Sequence, residues 1–108
     1  MTSIPKQFFL IAGLFSLGSS AIAADASPAA QLAKARNCMT CHQVDSKILG
    51  PAFKDIAARY RGKSESEALL VQRVMHGSRD IWSATPMPSN NQVTEEEART
   101  LVKWILSK

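Results

Sequence analysis

The chain has 108 residues, with 13 Lys and Arg against 9 Asp and Glu, a formal charge of +4, and two cysteines and two histidines in all. Its basic residues are interleaved with acids from Lys34 to Lys108, which excludes the concentrated cationic stripe of a nucleic-acid binder. So short a chain also excludes more than one domain and leaves only a modest apolar core, which usually needs a disulfide, a metal or a cofactor for support.

The N-terminus reads as a secretory leader. Lys6 precedes an apolar run from Phe8 to Leu17, and the small residues that follow place Ala21 and Ala23 at the two positions a signal peptidase selects. A membrane anchor is the competing reading. The run is shorter than the roughly 20 residues a spanning helix needs and is broken by Gly13 and Gly18. Residues 1–23 are therefore expected to be a cleaved signal peptide and residues 24–108 the working domain. That domain has 85 residues and, with Lys6 gone, 12 basic residues against 9 acidic, a formal +3. The stretch Ala24 to Ser27 reads as a loose terminus.

Four short helices follow in order. Ser27 and Pro28 form a helix start, cap then first-turn proline, and the helix runs up to the cysteines. After a loop closed by Gly50 and Pro51, Phe53, Ile56, Ala57 and Tyr60 recur at one-face spacing until Gly62. Ser64 and Glu67 fit a capping box that opens a third helix, with Ala68, Val71, Gln72 and Met75 on its face and Gly77 as its stop. From Ser78 to Val93 the periodicity disappears. Thr94 and Glu97 repeat the capping box, and Ala98, Leu101, Val102 and Ile105 make an amphipathic stripe. No alternating strand pattern competes, so the fold class is all-α. A structureless loop of about fifteen residues in so small a domain implies that the loop wraps something.

Both cysteines fall in Cys38-Met39-Thr40-Cys41-His42, and four uses compete for them. A disulfide across so short a loop removes little unfolded-state entropy. A thioredoxin-like pair lacks its strand-and-helix context, and zinc lacks further ligands, since His76 stands alone. C-x-x-C-H is also the attachment signature of c-type haem, and it alone uses every residue: two thiols on the haem vinyl groups and the histidine beneath the iron.

A low-spin electron carrier needs a second axial ligand. Met39 lies inside the motif, Met75 reads as core, and His76 reads as a helix-end residue. Met87 stands between Pro86 and Pro88, which fix the backbone on both sides and lower the entropy cost of ligation. A methionine opposite histidine raises the haem potential.

These residues carry a resemblance. With "CMTCH", "GPAFKDIAARY", "HGSRDIW", "PMPSN" and "EEARTLVKWIL" in order, the chain resembles the short class I bacterial cytochromes c, the periplasmic type that donates electrons to nitrite reductase and terminal oxidases. The link "SNNQVT" is slightly longer than the family's. The resemblance implies four short helices wrapped around one covalently bound haem c. Cys38 and Cys41 would be the thioether attachments and His42 and Met87 the axial ligands. Pro51 would be the carbonyl that orients His42, Arg73 and Trp82 the partners of a haem propionate, and Asn90 the asparagine beside the methionine. Read without it, Arg73 is a solvated helix residue, Trp82 a core residue and Asn90 a turn residue.

The function expected is one-electron transfer by a monomeric, non-enzymatic periplasmic carrier. Its partners would be redox proteins, a membrane cytochrome complex as donor and a reductase or oxidase as acceptor, with no nucleic acid and no stable membrane insertion after cleavage. Lys34, Lys47 and Lys54 are candidates for steering those partners. A haem peroxidase and a haem-free exported binding module are the rival classes. The chain shows no clear distal histidine-arginine pair and is short for a substrate cavity.

Overall fold

A computed structural model describes residues 2–5, 7, 10–16, 18 and 25–108. Lys6 and the predicted cleavage residues Ala21 and Ala23 lie outside the described residues. Among the described residues no helix is long and apolar enough to cross a membrane.

Each helix starts and stops for a local reason. In α1 (Pro28–Ala35) the Ser27 hydroxyl accepts the Ala30 N–H at 3.2 Å, and Pro28 occupies the first position, where no N–H is needed. Asn37 then turns the chain at φ +65°, leading into a 3-10 turn at Cys38–Thr40. The second helix, α2 (Phe53–Tyr60), ends before Gly62 at φ +79°. In α4 (Glu95–Leu106) the predicted capping box forms in both directions, Thr94 N–H to Glu97 and Glu97 N–H to Thr94, each at 3.1 Å. Among the described residues there is no β-strand, only one isolated antiparallel bridge, between Ser78 and Met87.

The third helix departs from expectation. It spans Ser66–His76 as α3, and Glu65 precedes it with no side-chain cap. The Ser64 box does not form, because Ser64 and Glu65 make a turn of their own ahead of the helix, closed by the Ser66 N–H donating to the Lys63 carbonyl at 3.1 Å. The buried face is Ser66, Leu70, Val71 and Val74, while Ala68 and Gln72 are exposed. This is a rotation of about one residue, roughly 100° around the axis.

The core forms around α4, against which α1, α2 and α3 all pack. Phe53, Leu101 and Val102 are its largest fully buried side chains. The stripes predicted for α2 and α4 are buried at all eight positions. The terminus is not loose at Asp25. Its Oδ2 accepts the Trp104 indole N–H at 2.7 Å and the Lys108 ammonium at 2.6 Å, and its Oδ1 accepts the Ser27 N–H at 3.0 Å. Two of the partners that hold this carboxylate, Trp104 and Lys108, come from the other end of the chain.

Candidate functional site

The cysteine motif sits where α1 gives way to the 3-10 turn. The His42 and Cys41 N–H groups both donate to the Cys38 carbonyl, at 3.1 and 3.3 Å, so the turn brings the two sulfurs and the imidazole to one side of the chain. Neither sulfur is bridged, and both are half-buried. Burial pushes the Cys38 thiol above its ordinary pKa, because a thiolate there would lose hydration.

His42 is buried, and its Nδ1 lies 2.8 Å from the Pro51 carbonyl. A carbonyl only accepts, so Nδ1 carries the proton and Nε2 keeps its lone pair for a metal. Phe53 stacks on the imidazole with centroids 5.0 Å apart, and Trp104 meets Phe53 edge-on at 5.3 Å. Gly50 closes the loop behind the ring, donating to the Cys41 carbonyl at 2.7 Å. A Cβ on Gly50 would lie 2.6 Å from His42 Cε1 and 2.9 Å from Nδ1, so the imidazole occupies the space a side chain would take.

Met87 is held through its main chain. Its N–H donates to Ser78 at 2.9 Å and its carbonyl accepts from Ser78 at 3.0 Å, which pinches residues 79–86 into a closed loop. Gly77, at φ +80° and ψ 177°, lets α3 stop and the chain run alongside Met87; a Cβ there would lie 2.5 Å from the Met87 carbonyl oxygen. Asn90 fastens the other side. Its Nδ2 donates to the Val74 carbonyl at 2.7 Å, and its N–H donates to the Met75 carbonyl at 3.2 Å.

A cavity of about 590 Å³ lies between these two segments. It is in the size range of cofactor pockets, and core residues including Ile56, Leu70, Val74, Leu101 and Ile105 supply apolar wall. All eight residues singled out from the sequence line it: Cys38, Cys41, His42, Pro51, Arg73, Trp82, Met87 and Asn90. Its charged lining comes from Arg73, Arg79 and Asp80. Arg73 is half-buried, not a solvated helix residue, and donates to the Tyr60 hydroxyl at 2.6 Å. Trp82 is 39% exposed, not a core residue, and meets Tyr60 edge-on.

The donor set fits a c-type haem. Two unbridged thiols, an imidazole with Nε2 free, a thioether and a guanidinium-indole pair share one apolar cavity with the chemistry that the vinyl groups, iron and carboxylates require. Among the described residues no group of three or more His, Cys, Asp and Glu gathers, so nothing offers zinc a complete ligand set. Lys34, Lys47 and Lys54 are exposed, and among the described residues none takes a carboxylate partner. Sequence reasoning missed Tyr60, Phe53 and the two glycines as parts of the site. Gly50 and Gly77 were visible only as punctuation, and Phe53 and Tyr60 only as core.

The family model described as cytochrome c matches residues 26–108. The chain is 47% identical over 77 residues to cytochrome c-551 of Pseudomonas aeruginosa, covering 71% of this chain and 73% of that protein. It is 41% identical over 95 residues to cytochrome c-552 of Nitrosomonas europaea, covering 88% and 92%. The crystal structure of wild-type Nitrosomonas europaea cytochrome c552 superposes with a TM-score of 0.70 at 45% identity, over 72% of this chain and 96% of that one.

Proposed function

The chain belongs to the cytochrome c family as a short bacterial class I member, and on that premise we propose that it is a periplasmic one-electron carrier whose iron is held by His42 and Met87. It is a small electron-carrier haem protein that binds covalently attached haem c, and its single C-x-x-C-H sequence provides for one haem. Relatives of this class transfer electrons and are not enzymes in themselves.

The observation that carries the ligand proposal is the shared cavity of His42 and Met87, each fixed by hydrogen bonds that leave its donor atom unused. When bound, haem c supplies an iron that cycles between ferric and ferrous. Cys38 and Cys41 tether it, and Pro51 holds the His42 ring through Nδ1, which keeps Nε2 oriented and basic. The Ser78–Met87 pair and Asn90 hold the thioether segment in place, and a thioether ligand favours the ferrous state. Arg73 and Trp82 bind a haem carboxylate. The apolar wall excludes water, so little solvent reorganises when the charge on iron changes.

Partners of a cytochrome c are redox proteins. A membrane cytochrome complex as donor and a nitrite reductase or terminal oxidase as acceptor suit a carrier with exposed lysines at positions 34, 47 and 54, since such charges give fast, weak and salt-sensitive association. In this reading residues 1–23 are a cleaved leader that exports residues 24–108 to the periplasm, where they act as a monomer. The test of the ligand pair is Met87→His: the covalent haem is retained and the midpoint potential falls, because nitrogen ligation favours ferric iron. An unchanged potential removes Met87 from the iron.

A further inference from the structure

Arg59 has no part in the site as described, yet it makes three contacts on the cavity rim. Its guanidinium carbon lies 4.7 Å from the centre of the Trp82 ring and 5.4 Å from that of Tyr60, and its Nη1 donates to the Ile81 carbonyl at 3.3 Å. Farther in, the Arg73 guanidinium lies 5.5 Å from the centre of the Tyr60 ring and bonds its hydroxyl. Two cations and two rings thus interleave, and they join α2, α3 and the loop before Met87.

The loop needs such a tie. Between Ser78 and Met87 no regular element fixes Trp82, and the indole is partly exposed. A free indole on a closed loop samples several rotamers, and a donor that wanders is a poor partner for a fixed carboxylate. A planar guanidinium stacks on an aromatic face while bonding a neighbouring carbonyl, which a lysine ammonium does not reproduce.

We infer that Arg59 is a positioning residue that locks the Trp82 indole from outside the cavity, and so fixes the donor that the haem carboxylate uses. This rests on the reading of Trp82 as a carboxylate partner.

The test uses the holo-protein and four variants: Arg59→Gln, Arg59→Lys, Trp82→Phe, and Arg59→Gln with Trp82→Phe. Hydrogen exchange of the indole N–H groups is followed by NMR, with Trp104, whose N–H is bound to Asp25, as the internal reference. Arg59→Gln is expected to speed exchange at Trp82 by about threefold to tenfold, the range a stacked cation supports, and to leave Trp104 unchanged. Arg59→Lys keeps the charge but not the plane, so exchange at Trp82 stays fast. The midpoint potential falls in Arg59→Gln, and because Arg59 acts through the indole, the same change has no further effect in the Trp82→Phe background.

Unchanged exchange at Trp82, or potential shifts that add, would overturn the inference. A Trp82 N–H that exchanges freely in the unmodified protein would sink the carboxylate reading instead. In that case the lock is judged on the Trp82 ring resonances, which must still move in Arg59→Gln for it to stand.

Discussion

The two sides of the cavity hold His42 and Met87, the proposed ligands, by different physical means. On the His42 side the functional ring itself is gripped: Pro51 takes Nδ1, Phe53 covers one face, and Gly50 leaves the space the ring fills. On the Met87 side the grip is on the backbone, through Ser78 and the close approach of Gly77, and among the described residues Met87 makes no side-chain hydrogen bond. The imidazole therefore has its orientation built in. The thioether has a fixed origin but keeps its side-chain torsions, so the methionine side is the one expected to yield first under stress.

The largest disturbance removes both sides together. Haem would fill the cavity that core residues of α2, α3 and α4 line, and so small a domain has little other apolar core to fall back on. The double variant Cys38→Ala, Cys41→Ala, which cannot tether haem, is thus expected to lose its helical far-ultraviolet circular dichroism signal at 25 °C. A native signal with no haem present would contradict this.

A finer cut sets one glycine against the other. Gly77→Ala puts a Cβ against main chain at a backbone conformation that is nearly glycine-only, and is expected to cost about 3 kcal/mol in denaturant unfolding. It should also loosen Met87. Gly50→Ala puts a Cβ 2.6 Å from the His42 ring and 3.1 Å from the Cys41 carbonyl oxygen but carries no positive-φ penalty, and is expected to cost about 1–2 kcal/mol. Equal costs, or the reverse order, would mean that the two sides are held alike.

The smallest effect lies away from the cavity, behind the His42 stack. The Lys108 ammonium, then the Ser27 N–H and the Trp104 indole, hold the Asp25 carboxyl well below the usual carboxylate range, and the Arg36 guanidinium does the same for Glu97. A carboxyl depressed in the folded state adds stability above its unfolded pKa, near 4, and that contribution is lost as the pH falls towards the folded value. Asp25→Asn should lower the melting temperature slightly at pH 7 and by less at pH 3. A larger loss at pH 3 than at pH 7 would reverse the sign and refute the assignment.

How far the sequence could be read follows the same division. Cys38 to His42 are contiguous, so the chemistry of the histidine side was legible as a motif, and the prolines around Met87 marked the residue proposed as the other ligand. The stripes of α2 and α4 were legible because polar residues outline each of them. The third helix was not: Ala68, Leu69, Leu70, Val71, Val74 and Met75 cover most of its circumference, so periodicity could not choose the face, and Leu69 ends up 43% exposed. The anchoring of Asp25 depends on Trp104 and Lys108, 79 and 83 residues away, and no local pattern announces it. Gly77 looked like a helix stop and is one, but its second duty depends on a carbonyl ten positions later.

The pairing of His42 with Met87 on iron is tested most directly by proton NMR of the reduced protein. A methyl group held over a porphyrin face is shifted far upfield by the ring current, so one such methionine methyl should appear. It should vanish in Met87→Leu and survive in Met75→Leu. If it survives in Met87→Leu and vanishes in Met75→Leu, the iron takes its sulfur from α3 and the account of the methionine loop is wrong.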